Sequence, residues 1–285
     1  MEFKNTNQWK DTIKKQATEK NISAQELQQL YVLEEFANNI SLSKYRNIIV
    51  FKGGFVVSHI LGINERLTRD IDMTFCSKSF SIDEIKIMIN EIINIESNNL
   101  FKFEIVTINR EQFKQGHYGF VCRIDAVCGK LRIPFKLDIS NNTMIYPYAI
   151  ESSFMTMSGK KISIMTYHIE NIIAEKFETT LDRGTFNSRI RDLQDVCCLF
   201  INNNSIIDCS LLVQTIIEVS KNRNTLDNLY HYNEIKKELL HSAVFNQCFE
   251  SYRSRKSGYA PYSLKEVFMV FDEIMNYIKS ELDNL

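Results

Sequence analysis

At 285 residues, 44% of them hydrophobic, the chain is long enough for a catalytic core plus a second part and needs no disulfide or metal staple to fold. Lys and Arg (34) nearly balance Asp and Glu (35), so a nucleic-acid partner cannot be read from net charge and any polyanion site must be a local patch. Nine glycines and three prolines favour helices with short connections, and seven cysteines without CxxC or Cys/His spacing suit reduced thiols better than a disulfide frame or zinc site.

The N-terminus is polar and unlike a signal peptide, and no run approaches the roughly 18 apolar residues of a membrane span. A cytoplasmic protein without a membrane partner is expected. Residues 8–20 and 24–38 have helical spacing, with Ser23 as a cap and Asn38-Asn39 as a break. Lys10, Lys14 and Lys15 read as a solvated face. Residues 47–51 are β-branched and apolar, a buried strand. Gly53-Gly54 follows, then a helix over 55–61 ended by Gly62. Residues 70–75 form a second strand, and Ser81 to Glu84 a capped helix start running to about Ile95. Residues 101–109, 118–127 and 131–139 alternate like strands, with Pro134 hinting at an edge or bulge. Helical spacing then recurs over 168–181, 188–202, 208–220, 227–243 and 264–282. The expected architecture is an α/β (α+β) core with a small mixed sheet over residues 1–160, then an all-helical domain over 161–285. Residues 151–166 are expected to bridge the two.

Side chains at i and i+2 of a strand leave the same face, so Asp70 and Asp72 project together while Ile71 turns to the core. Paired carboxylates are costly unless a proton or cation sits between them. Magnesium, or manganese, prefers such oxygen ligands, and Asp138 in Lys136-Leu137-Asp138 is the expected third. Gly53-Gly54 between strand and helix lets backbone amides approach a phosphate. A phosphate cradle followed by a metal platform is the pattern of nucleotide chemistry, and no G-x-x-x-x-G-K-[ST] loop is present. Ser58 lies one turn into that helix, too far for a phosphate ligand. In the helical half Lys176, Thr180 and Arg183 share one face, which serves either a triphosphate or an ion-paired helix contact with Asp192 or Asp195.

The segment FKGGFVVSHILGINERLTRDIDMTF, followed by Tyr167-His168-Ile169-Glu170 and AEKFETTLDRGTFNSRIRDLQDV, resembles the AbiEii/AbiGii toxin family of polymerase-beta-like nucleotidyltransferases, from the N-terminal helices to about residue 200. The resemblance implies that Gly53 and Gly54 bind phosphate and that Asp70 and Asp72 bind metal. It further implies that Lys176 meets the nucleotide's phosphates and that Asp192 is the later acidic group. Where the family commonly has an aromatic residue this chain has Gln194. A toxin of a toxin–antitoxin or abortive-infection phage-defence system is implied, transferring a nucleotide from a nucleoside triphosphate to RNA, such as the transfer-RNA 3′ acceptor end. The linked antitoxin need not bind directly. The alternatives are a phosphotransferase or nuclease using the same carboxylates, and a silent nucleotide-binding regulatory module. Arg66 steadies the loop before Asp70 or binds substrate, with structure favoured. His168 reads as packed or capping, and Cys197-Cys198 as core. The segment 252–256 with Tyr259 and Tyr262 suits either nucleic-acid stacking or a surface turn.

Overall fold

The computed structural model describes residues 3, 5–97, 100–114, 117–141, 144–255 and 260–282. Lys256 and Tyr259 of the basic–aromatic segment lie outside them. The chain divides into two compact units, Met1–Thr143 with Ala149–Tyr167, and Met144–Tyr148 with His168–Leu285.

In the first unit, helices α1 (Thr6–Glu19) and α2 (Ala24–Leu42) precede strand β1 (Ile49–Lys52), helix α3 (Gly53–Leu61), strand β2 (Asp70–Phe75) and helix α4 (Ile82–Ile93). Strands β3 (Lys102–Lys114), β4 (His117–Cys128), β5 (Leu131–Ser140), β6 (Ile150–Met155) and β7 (Lys161–Thr166) follow. All seven form one mixed sheet in the order β3-β4-β5-β2-β1-β7-β6. Within it β2 runs parallel to β5 and β1 parallel to β7, while β1 and β2 are antiparallel. The fold is α+β, as the sequence indicates.

Alternation along the central strands sorts the two faces. Ile71, Met73, Leu137, Ile139, Cys122 and Ile124 are buried, whereas Asp70, Asp72, Lys136 and Asp138 are half-buried. The apolar face carries α2, whose Phe36 meets Phe103 and Phe135 edge-on at 5.2 and 5.3 Å. Trp9 of α1 packs on Tyr31 and Phe101. Lys10, Lys14 and Lys15 face solvent. The α4 start is a full capping box between Ser81 and Glu84.

Several expectations need correction. Ser23 is the N-cap residue of α2 but its side chain makes no cap hydrogen bond. That helix does not break at Asn38-Asn39, because buried Asn39 donates to the Ile92 carbonyl at 3.0 Å and accepts from Ser97 Oγ at 2.5 Å. Pro134 lies in an interior strand, yet β2 begins opposite Lys136, so the strand is locally unpaired on that side and a missing N–H costs nothing. Residues 151–166 do not bridge two parts. They form the β6–β7 hairpin of the sheet, and residues 161–166, grouped by sequence with the helices, pair with β1.

That hairpin is fastened by buried charge. Glu34 and Glu35 of α2 are both buried. Glu34 accepts from the Met157 amide at 2.6 Å and lies 3.3 Å from His59 Nε2, while Lys160 Nζ donates to Glu35 Oε2 at 2.7 Å. Burial raises the Glu34 pKa above the usual carboxylate value, and the His59 contact works against that rise.

The second unit contains α5 (Ile169–Arg183), α6 (Ile190–Asn202), α7 (Cys209–Asn222), α8 (Asp227–Tyr230), α9 (Tyr232–His241), α10 (Ala243–Arg255) and α11 (Leu264–Leu282). The single helix expected over 227–243 is two, and α10 has no counterpart in the sequence reading. Phe177 stacks on Phe271 at 4.7 Å in its core, and Cys197 and Cys198 are buried. Among the described residues no helix is long and apolar enough to cross a membrane.

Candidate active site

Strand register assembles the carboxylates. Across the parallel β2–β5 pair, Asp70 stands beside Lys136 and Asp72 beside Asp138. Residues opposed across neighbouring strands share a face, so three carboxylates and one amine project together. On the other side of β2, Lys52 at the end of β1 is the partner of Asp72, with its amine 5.5 Å from the Tyr167 ring centre. Thr68 Oγ1 donates to Asp70 Oδ1 at 3.0 Å, and Tyr167 shares a 2.9 Å hydroxyl contact with Thr74, further along the same face.

The glycine pair is fitted to this platform. Gly53 has φ +61°, the left-handed region that L side chains rarely adopt, and a Cβ there would collide with the Asp72 carboxylate. A Cβ on Gly54 would lie 2.8 Å from Thr68 Oγ1 and 3.0 Å from Arg66 Nη2. The two glycines open α3 with Lys52 as N-cap, so the first-turn amides of that helix begin beside Asp72. Arg66 is buried and donates to the Leu67 carbonyl, which supports its structural reading. Ser58 is also buried and donates to the Phe55 carbonyl at 2.7 Å, an internal helix bond.

Asp138 carries the electrostatic tension of the site. Its Oδ2 lies 2.7 Å from Lys136 Nζ, while Oδ1 is buried with no hydrogen-bond partner. Burial raises its pKa, Lys136 lowers it, and Asp70 and Glu111 raise it again. Burial disfavours the charged Lys136 amine too, but the hydrogen bond and charge of Asp138, with Asp70 and Asp72, outweigh that and raise its pKa. Among the described residues no three His, Cys, Asp or Glu side chains are gathered into a finished ligand set. The donor chemistry nevertheless fits a hard cation: a buried carboxylate oxygen without a partner, beside two further carboxylates on one face.

Lys176 and Asp192 belong to the second unit and form a cluster of their own. Lys176 Nζ is 2.5 Å from Asp192 Oδ1 and 2.8 Å from Asp195 Oδ2, and Arg189 Nε is 2.6 Å from Asp192 Oδ2. Lys176, Asp192 and Asp195 are all buried. The helix-pair alternative describes this geometry, although the contact is buried rather than at a wet surface. Arg183, expected on the same face, is exposed. Gln194 joins α6 to the main chain of Tyr262 at both ends of its amide, through contacts of 2.8 and 3.2 Å. His168 is the N-cap residue of α5, without a side-chain cap bond, packed on Tyr148.

Sequence reasoning passed over Lys52, Thr68 and Lys136. The last was legible, since alternation places it on the face of Asp138. The other two depend on register and loop closure.

A family model described as nucleotidyl transferase AbiEii toxin, type IV toxin–antitoxin system, matches residues 36–266. The chain belongs to the AbiEii family. The AbiEii match extends past residue 200, where the resemblance ended, and leaves out α1. Its span includes Gly53, Gly54, Asp70, Asp72, Asp138, Lys176 and Asp192. Among solved structures, JHP933 from Helicobacter pylori is 16% identical, covering 92% of this chain and 97% of its own, with a TM-score of 0.48. An antigenic nucleotidyltransferase-like protein from Paracoccidioides brasiliensis is also 16% identical, covering 68% of this chain and 91% of its own, with a TM-score of 0.39. No curated protein matches this AbiEii chain.

Two outcomes follow for this AbiEii protein. Gly53→Ala forces a side chain into the left-handed region at a cost of roughly 1–2 kcal/mol and displaces Asp72, so thermal unfolding should fall and calorimetric Mn²⁺ affinity should weaken. Wild-type values in both would remove Gly53 as a constraint. Lys176→Met removes the buried amine that Asp192 and Asp195 share and should lower unfolding free energy by about 3–5 kcal/mol, measured by urea denaturation. A change below about 1 kcal/mol, the scale of exposed pairs, would contradict the buried arrangement.

Proposed function

We propose that this AbiEii-family protein is a metal-dependent toxin that transfers a nucleotide from a nucleoside triphosphate to RNA, such as the transfer-RNA 3′ acceptor end. The observation that carries the reading is the register pair Asp72–Asp138 set against Gly53, which unites a carboxylate platform with a helix start free of side chains.

Asp70, Asp72 and Asp138 would hold a magnesium or manganese ion. When bound, it supplies charge neutralisation at the α-phosphate and the departing pyrophosphate. The first-turn amides of α3 receive phosphate oxygens, because Gly53 and Gly54 let the backbone approach and the helix start favours anions. An acceptor hydroxyl forms a new P–O bond to the α-phosphorus. The α–β bridging bond breaks and pyrophosphate leaves with its electron pair. Asp138, on the same face as Asp70 and Asp72, would take the hydroxyl proton. Lys176 and Asp192 keep a role in nucleotide handling in this reading, supported by family membership.

The wider setting follows the family: a toxin acting in the cytoplasm, in phage defence by abortive infection, opposed by a genetically linked antitoxin. The free cysteines support a reducing compartment.

The test compares α- and γ-labelled nucleoside triphosphates incubated with total RNA and Mg²⁺ or Mn²⁺. Label from the α position alone should enter RNA, and Asp70→Asn or Asp72→Asn should lower the rate by at least roughly a hundredfold with melting temperature retained. Label entering from the γ position would indicate a phosphotransferase, and RNA shortening a nuclease. Full transfer by either folded variant would remove the metal assignment.

A further inference from the structure

We propose that Lys136 and Arg123 form a docking pair for the phosphodiester of a polynucleotide acceptor, on the side of the carboxylates away from Gly53 and Gly54. The inference rests on the nucleotidyl-transfer reading for its location and adds to it the surface that binds the acceptor's backbone.

The argument begins with strand order. From the glycine pair at the end of β1, the sheet steps to β2, then β5, then β4 and β3. The phosphate cradle therefore flanks the carboxylates on the β1 side only. An attacking group must approach the α-phosphorus opposite the leaving pyrophosphate, which assigns the acceptor to the β5–β4 side. There one row across the sheet reads Asp70, Lys136, Arg123, Thr107. These residues share the carboxylate face, and Arg123 stands two strand spacings, roughly 10 Å, from Asp70.

The charges along this row are disposed for an anion. Arg123 is exposed and makes no ion pair or hydrogen bond among the described residues. The acids beyond it on the same face, Glu104 and Asp125, are already answered by Arg132 at 2.7 and 3.3 Å. Glu111 belongs to a different row, opposite Gly119 and Ser140, and marks the limit of the track. Lys136 rests on Asp138, half exposed on a flexible stem. Exchange of Asp138 for a phosphate oxygen moves the amine a short way and releases Oδ2 of Asp138 to the reaction. A small acceptor needs only the hydroxyl site. A chain of phosphates gives both cations a partner, which favours a polynucleotide.

The experiment is fluorescence anisotropy with a short labelled oligoribonucleotide and an oligodeoxyribonucleotide of the same sequence, over a series of salt concentrations and without nucleotide. Arg123→Gln and Lys136→Gln should each weaken binding several-fold and reduce the slope of log affinity against log salt by roughly 0.7, one phosphate contact on a single strand. Arg123→Lys should restore the slope. Arg110→Gln is the control, because Arg110 pairs with Phe120 on the opposite face and lies over Tyr118. It removes the same charge and should leave the slope intact. Loss on both oligonucleotides, or on RNA alone, supports the docking pair. It is overturned if wild-type protein binds neither oligonucleotide, if Arg123→Gln keeps the wild-type slope, or if Arg110→Gln lowers it equally. Because binding is read without transfer, failure of the labelled-nucleotide reaction is separately visible.

Discussion

The parallel register of β2 on β5 is the constraint from which the site follows. It sets Asp72 against Asp138 and Asp70 against Lys136 on the face opposite the apolar core. A one-residue slip of β2 would turn Asp70 and Asp72 to the core and expose Ile71 and Met73, so hydrophobic burial itself enforces the arrangement. The core thereby holds together charges that would separate if free. Their repulsion is relieved in part by Lys136. Gly53 adds a second constraint, because only a residue without Cβ can sit so close to Asp72. Packing on one face and electrostatics on the other are thus fixed by the same few hydrogen-bonded rows.

Charge elsewhere does structural work of a different kind. Glu34 and Glu35 lie on the helix that covers the sheet, and they tie the β6–β7 hairpin to it through the Met157 amide and Lys160. In the second unit Lys176 is enclosed by Asp192 and Asp195, and Arg223 by Glu175 and Glu178. Buried pairs of this sort add little net stability over apolar packing but make loss of one partner expensive. Lys176 is therefore a poor position at which to separate structural from chemical effects, whereas the half-exposed row on the sheet is a good one.

Much of the site was legible because its signals are local. The strand Asp70–Phe75 is marked by alternation, the helix before it by Gly62, and the Ser81 capping box by its own spacing. Asp138 followed from strand logic. What escaped depended on partners distant in sequence. The strands β6 and β7 carry serine and methionine with weak apolar alternation, and their pairing is set by β1 and by buried acids of α2. The run through Asn38-Asn39 stays helical because Asn39 finds acceptors and donors more than fifty residues away. For Lys176 the sequence offers a face and two alternatives, a triphosphate or Asp192 or Asp195, since helix spacing gives direction without deciding what lies opposite; the structure shows both carboxylates there.

The proposed ion site is Asp70, Asp72 and Asp138 on the sheet, and the other acidic cluster against which it can be tested is Asp192 with Asp195 around Lys176. Paramagnetic broadening of backbone amide resonances during Mn²⁺ titration distinguishes them directly, because the effect is strongest near the bound ion. The account predicts that broadening centres on residues 70–72, 136–138 and the Gly53–Gly54 amides at substoichiometric Mn²⁺, and vanishes in Asp72→Asn. Broadening centred instead on residues 192–195, with the β2 and β5 resonances unaffected, would contradict it.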